Sequence, residues 1–182
     1  MNMKKIISFF IVACCAMCAT AAKVVWQIGV ADNSGTELAL GPSEYKKFLA
    51  HDFGYEDRYF LVGTSVDKND FPYVLPGPDD TWGGTWSTSG WRTHDANILF
   101  GIKKLPKHGK WKLVVDLVDA NPSRSVVKVM VNSAEKKFEI KGHSKGVLEG
   151  NLQDAKEQIL EFPISANDLK KGGNMVTVSV LE

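Results

Sequence analysis

Cysteine is scarce: the 182 residues hold three, Cys14, Cys15 and Cys18, and all lie in the first eighteen positions. The remaining chain has none, which excludes a disulfide, a thiolate nucleophile and a cysteine-ligated zinc from it. Charge of one sign is also missing. Lys and Arg number 22 against 21 Asp and Glu, a formal charge of +1, which argues against a strongly basic nucleic-acid binder or a polyacidic tail. No heptad, internal repeat, low-complexity tract or Pro- or Ser/Gly-rich linker interrupts the sequence past the amino terminus. The usual catalytic templates are absent as well: no H-E-x-x-H, G-x-S-x-G, P-loop or G-x-G-x-x-G after a strand. What is present, 44% hydrophobic and 24% charged content, is that of an ordinary globular domain.

The one long uncharged run, Ile6 to Ala22, follows Lys4 and Lys5 and ends in Ala19-Thr20-Ala21. A basic start, an apolar centre and a small-residue exit are the pattern of a secretory signal peptide, so residues 1–21 read as a signal and 22–182 as the mature domain. A membrane anchor fits less well, because the run turns Ala-rich where a spanning helix would continue. Ile11-Val12-Ala13-Cys14 also matches a lipoprotein box, in which Cys14 would be acylated. Without residues 1–21 the chain carries 20 basic and 21 acidic residues and no cysteine. The expected location is periplasmic, cell-surface or extracellular, with no membrane span in the mature form.

Strand periodicity recurs along the mature chain at Val24–Val30, Arg58–Gly63, Ala96–Ile102, Trp111–Asp119, Val126–Asn132, Lys136–Ile140, Glu157–Phe162 and Asn174–Leu181. In the fourth, Trp111, Leu113, Val115 and Leu117 share one face and Lys112, Val114, Asp116 and Val118 the other. Turn residues separate these runs, and the two helical signals, over Pro42–Leu49 and from a capping box at Ser165–Asp168, are too short for βαβ units. About eight short strands in a chain of this length predict an all-β fold, an antiparallel β-sandwich or jelly roll in one domain. Trp26 and Trp111, lying in strand patterns, are expected in its core.

Lys68 to Trp91 breaks the regularity. It reads KNDFPYVLPGPDDTWGGTWSTSGW, too long for a tight hairpin, and connections beyond ~12–15 residues in a compact domain are usually functional or disordered. Three tryptophans speak against disorder. Trp82, Trp86 and Trp91, with Tyr73 and Phe71 upstream, can offer flat faces to the C–H side of a pyranose, while Asp79, Asp80, Arg92 and His94 supply hydrogen-bonding groups for its hydroxyls. The competing reading folds these rings inward to cap the sandwich.

Other signals are weaker. His51, His94, His108 and His143 lie in or beside turn-like sequence and read as solvated; neighbouring side chains on an extended chain diverge, so neither His51-Asp52 nor His94-Asp95 is a dyad. Asp67, Asn69 and Asp70 present hard oxygens at close spacing but lack the Gly and distal Glu of a calcium loop, so no cofactor is expected beyond a weak option of structural calcium. The basic cluster Lys103–Lys112 reads as a solvated hairpin loop.

The stretches WQIGVADNSGTELAL (Trp26–Leu40), FPYVLPGPDDTWGG (Phe71–Gly84), HDANILFGIKKLPKHGKWKLVVDLVDA (His94–Ala120) and DLKKGGNMVTVSVL (Asp168–Leu181) resemble the carboxy-terminal jelly-roll domain of family 4 polysaccharide lyases, the rhamnogalacturonan lyases. The most specific parts are the Pro-Tyr-x-x-Pro-Gly-Pro-x-Asp-x-Trp run of Pro72–Trp82 and the strand Ile98–Ile102; the Leu-Lys-x-Gly-x-Asn turn is common to many galactose-binding-like sandwiches. The resemblance implies a galactose-binding-like accessory domain with no catalytic residue, since in such lyases the catalytic Lys and His sit in a separate domain. It also implies a further strand after Val-Ser-Val-Leu, so on this resemblance either the domain is truncated after residue 182 or a sheet edge is left for something else to cover. The expected function is an exported, non-catalytic carbohydrate-binding module for a polysaccharide or oligosaccharide of pectin or rhamnogalacturonan type, with a catalytic domain of the same parent chain as a further partner. The alternatives are a fragment of a lyase or glycoside hydrolase, and a structural domain bracing a catalytic neighbour.

Overall fold

The computed structural model describes residues 23–42, 44, 47, 49–51, 53, 57–75, 77, 94–105, 110–120 and 125–181. Within them the chain forms β1 (Arg58–Leu61), α1 (Asp67–Asp70), β2 (Ala96–Ile102), β3 (Trp111–Leu117), β4 (Ser125–Val131), β5 (Ala134–Ile140), α2 (Gly146–Glu149), β6 (Gln158–Ile164) and β7 (Gly172–Val180). Two sheets result, one of five strands in the order β1-β2-β7-β4-β5 and one of two, β3-β6. This is the expected all-β sandwich.

The larger sheet follows from alternation. In β4 every second residue, Ser125, Val127, Val129 and Val131, is buried, and in β7 the inward positions are Asn174, Val176 and Val178. The valines among these, with Phe60, Ile98, Phe100 and Ile102, make the core against which Leu160 and Phe162 of β6 are buried. Pairing is antiparallel at β2–β7, β4–β7, β4–β5 and β3–β6, but β1 pairs with β2 in parallel, Arg58 opposite Ala96. An all-antiparallel expectation therefore fails at this edge: the 34 residues between the two strands, counted from Val62 to Asp95, are long enough for a crossover connection.

Side chains pin the turns at one end. Asn132, at φ 53, occupies the left-handed region that Asn tolerates, and its amide donates to Asp168 O at 2.6 Å and Asn174 Oδ1 at 2.9 Å. The Asn174 amide donates in turn to Lys170 O at 2.8 Å and Gly172 O at 3.1 Å, and its Oδ1 accepts from Lys170 N at 2.8 Å. Gly172, at φ 95, permits that bend. This is what the Leu-Lys-x-Gly-x-Asn pattern does physically: Asn174 ties the turn leading into β7. The expected capping box at Ser165 is present, ahead of a single 3₁₀ turn at Ala166–Asp168.

The strand expected at Val24–Val30 does not form. Its alternation survives from Val25 onward, since Trp26 and Ile28 pack on the core while Val25 and Gln27 are exposed; Val24, on the inward parity, is exposed as well. Among the described residues no strand pairs with its backbone, however, and without a ladder partner an extended segment is not a strand. Among the described residues seven strands stand where about eight were expected. The helix expected over Pro42–Leu49 falls partly outside the described residues. Lys68–Asp70, expected as loop, belong to α1, which is held by Val66 N donating to Asp70 Oδ2 at 2.7 Å. No helix of the described residues is long and apolar enough to cross a membrane.

Candidate functional site

The aromatic stretch is anchored where it leaves and where it re-enters the sandwich. At its start Ala39 and Pro72 form a bridge; Tyr73 N donates to Ala39 O at 2.8 Å and Ala39 N to Phe71 O at 2.9 Å. Phe71 meets Phe60 of β1 edge to face, with centroids 5.8 Å apart. At its end Asp95 N donates to Asp57 Oδ1 at 3.0 Å, Arg58 N to Asp95 O at 2.8 Å, and Ser179 Oγ to Asp95 Oδ1. Asp79, Asp80, Trp82, Trp86, Trp91 and Arg92 lie outside the described residues.

Tyr73 is described, and it is half-buried. Its ring lies against Gly35 so closely that a Cβ there would come within 2.7 Å of Tyr73 Cε2, and Gly35 sits at φ 60, where a side chain is disfavoured anyway. The Tyr73 hydroxyl is buried and has no hydrogen-bond partner among the described residues. Burial, and secondarily the negative charge of Asp119, push its pKa up to about 12. The phenol is therefore a neutral donor across the ordinary pH range.

Asp119 organises the same end of the sandwich. Its Oδ2 accepts from Ser144 Oγ at 2.5 Å and Val147 N at 3.3 Å, and its Oδ1 accepts from Lys156 N at 3.2 Å. Burial pushes its carboxyl up, but these hydrogen bonds to the charged form outweigh it and hold the group below its usual range. Asp116 shifts the other way: burial, then the nearby charge of Glu157, raise its carboxyl.

Between the sheets lies a cleft of about 1230 Å³, lined by Trp26, Tyr73, the inward face of β3, Asp119 and valines of β4 and β7. Trp111 stands in its wall, half-buried, with its indole N–H buried and without a partner among the described residues. Trp26 stands opposite, its ring 5.3 Å from Phe100. Both tryptophans pack on the core as expected, but both also border this cleft. Alternation along β3 made Trp111 legible as inward-facing, and it is half-buried there.

The histidines divide. His94, expected to be solvated, is 5% exposed, with its Nδ1 3.7 Å from Asp57 Oδ1, a carboxylate brought to it across the fold. His51 is exposed and stacks near Phe53, His143 is half-buried, and His108 lies outside the described residues. Among Asp67, Asn69 and Asp70, the two carboxylates serve the backbone: Asp67 Oδ2 accepts from Gly29 N at 2.8 Å and Asp70 Oδ2 from Val66 N. Among the described residues no three His, Cys, Asp or Glu side chains converge as a metal site. Of the basic cluster, Lys103, Lys104, Lys110 and Lys112 are described and exposed.

The described polar groups thus hold the ends of a sandwich together. No curated protein matches the chain. A family model does, described as CBM-like: Polysaccharide lyase family 4, domain III; it matches residues 24–182, nearly all of the sandwich, and the chain belongs to that family.

Proposed function

We propose that this protein is an exported, non-catalytic carbohydrate-binding module that holds a pectin- or rhamnogalacturonan-type polysaccharide for a degrading enzyme. Family membership over residues 24–182 is the observation that carries the reading. The aromatic stretch, fastened at Phe71–Tyr73 and again at Asp95, supports it as the contact surface. In this reading residues 1–21 direct export and 22–182 form the working domain. Trp82, Trp86 and Trp91 stack on sugar faces; Asp79, Asp80 and Arg92 bond hydroxyls; Tyr73 adds the accessible part of its ring at the foot of the loop. Planar rings exposed at a surface suit pyranoses because each ring covers C–H groups while the rim stays polar.

One or two such contacts leave little surplus after the costs of association, so a Kd near ~1 mM, about −4 kcal/mol, is expected. Affinity electrophoresis of the purified chain on rhamnogalacturonan, homogalacturonan and cellulose tests it. Retardation on a pectic fraction, lost in Trp82→Ala or Trp86→Ala with an unchanged melting temperature, is the expected result. Unretarded migration of folded protein on every fraction removes the proposal, and so does release of unsaturated products by the purified chain.

A further inference from the structure

The chain is near neutral, but its charges are separated. The ladder between β2 and β7 ends with Ile102 opposite Gly172, and the next residue on each strand is a lysine, Lys103 on one and Lys171 on the other. Lys104 and Lys170 follow, and Lys110 stands immediately before β3. The connections from β2 to β3 and from β6 to β7 both cross between the sheets here, so lysines from two distant parts of the sequence are brought to one end of the sandwich. All five are exposed, and none forms an ion pair among the described residues. The acids on the elements that meet there are already engaged: Asp168 accepts from Ser165 N at 3.1 Å, Glu161 pairs with Lys112, and Glu135 lies 3.8 Å from Lys137 Nζ. At the other end the same strands are flanked by Asp95, Asp119 and Glu157.

The lysines stand on a fixed backbone beside an open apolar surface. Asn174 bonds both the N–H and the carbonyl of Lys170, and Asn132 bonds Asn174, so the turn carrying Lys170 and Lys171 is ordered before any ligand arrives. Continuing the alternation of the two strands puts Lys103 and Lys171 on the outward face, in line with the pairs Gly101–Gly173 and Leu99–Met175. A hollow of about 460 Å³ lies on that face, bordered by Leu61, Leu99, Met175 and the two glycines. Solvent reaches it: Leu61 is 48% exposed and Met175 38%, and a Cβ on either glycine would meet nothing within 4 Å. Successive outward positions on a strand are ~6.7 Å apart, a span that one sugar residue bridges from its C–H face to its carboxylate.

Like charges opposite one another on neighbouring strands destabilise a sheet, and a bound polyanion relieves that repulsion. Lysines are point charges on long stems, suited to carboxylates spaced along a polymer. The acids at the far end repel the same polymer, so the field of the whole molecule turns its lysine end towards it. We propose that Lys103, Lys104, Lys110, Lys170 and Lys171, with the hollow beside them, bind the carboxylates of a polyuronate chain. This site is separate from the aromatic stretch, which re-enters the sandwich at Asp95, the opposite end of β2. The choice of a polysaccharide as the anion rests on the carbohydrate-binding reading; selection by charge, and therefore against methyl-esterified polymer, goes beyond it.

The test measures binding of the purified chain to polygalacturonate, to the same polymer fully methyl-esterified, to neutral galactan and to poly-glutamate. Polygalacturonate should bind roughly tenfold more tightly than the esterified form, and the preference should vanish between ~0.01 and ~1 M salt, as the Debye length falls from about 30 to about 3 Å. The double variant Lys103→Gln/Lys171→Gln should weaken polygalacturonate binding about fivefold at an unchanged melting temperature, and Lys103→Arg/Lys171→Arg should retain it. Equal weakening by Lys141→Gln/Lys145→Gln, exposed lysines at the other end, would assign the effect to overall charge and overturn the proposal. Poly-glutamate binding as tight as that of polygalacturonate overturns it too, by assigning the site to acidic protein. Retention of galactan or esterified pectin with no preference for polygalacturonate overturns this site and leaves the aromatic stretch standing as the sugar contact. No binding to any of the polysaccharides overturns both.

Discussion

The two sheets are made of similar alternating strands, yet they stand at different stages of completion. In the larger one β7 is paired on both sides, and Val129 and Val131 of the neighbouring β4 are 0% exposed. In the smaller one β3 alternates half-buried and exposed residues along its whole length, and no residue of it is fully buried. Periodicity is the same in both. What differs is the number of neighbours, and burial in a sheet is a property of the neighbours as much as of the strand.

The largest break in that comparison should come from Phe100→Ala, which removes a ring buried between Trp26 and the core; urea unfolding should register a loss of ~3–5 kcal/mol. Asp119→Ala should cost about 2 kcal/mol, because the hydroxyl of Ser144 and the N–H groups of Val147 and Lys156 lose their acceptor together. Leu113→Ala, on the inward face of β3, should cost only about 1 kcal/mol, since Leu113 is only half-buried. A Leu113 loss as large as that of Phe100 would erase the difference between the layers. Lys112→Ala removes a surface ion pair with Glu161 and should change stability by less than ~0.5 kcal/mol.

Acidity sharpens the contrast between the two carboxyls at the end of β3. The Asp119 carboxyl is held below its unfolded value, so its stabilisation is present at neutral pH and disappears as pH falls through the folded value. Asp116 is raised, so ionising it opposes folding, and that opposition is absent in acid and appears as pH rises through its unfolded value. Melting temperatures from pH 3 to 7 should therefore show Asp119→Asn flattening the acid limb, and Asp116→Asn stabilising the protein slightly at pH 7 and not at pH 3. The opposite order of the two variants would reverse the assignment of their environments.

Much of the fold is legible in the sequence. Seven strand positions, the inward face of β3 and the capping box at Ser165 follow from alternation and turn chemistry, which are local. Val24–Val30 misled for the same reason: its pattern is that of a strand, but strand formation needs a partner, and the partner is not encoded in the segment itself. His94 read as solvated because its neighbours are turn-like, whereas Asp57, far along the chain, borders it in the fold. The parallel β1–β2 pairing was likewise a matter of where a long connection returns.

The amino-acid order by itself determined that this is a cysteine-free, near-neutral β-protein past its first residues, with valine-rich strands that bury one face and an asparagine-glycine turn before the last of them. Those features depend on residues within a few positions of each other, where sterics and alternation suffice. Tertiary structure decided which edges are paired and which buried donors lack partners among the described residues. Each of these depends on pairing across tens of residues, which no local pattern specifies.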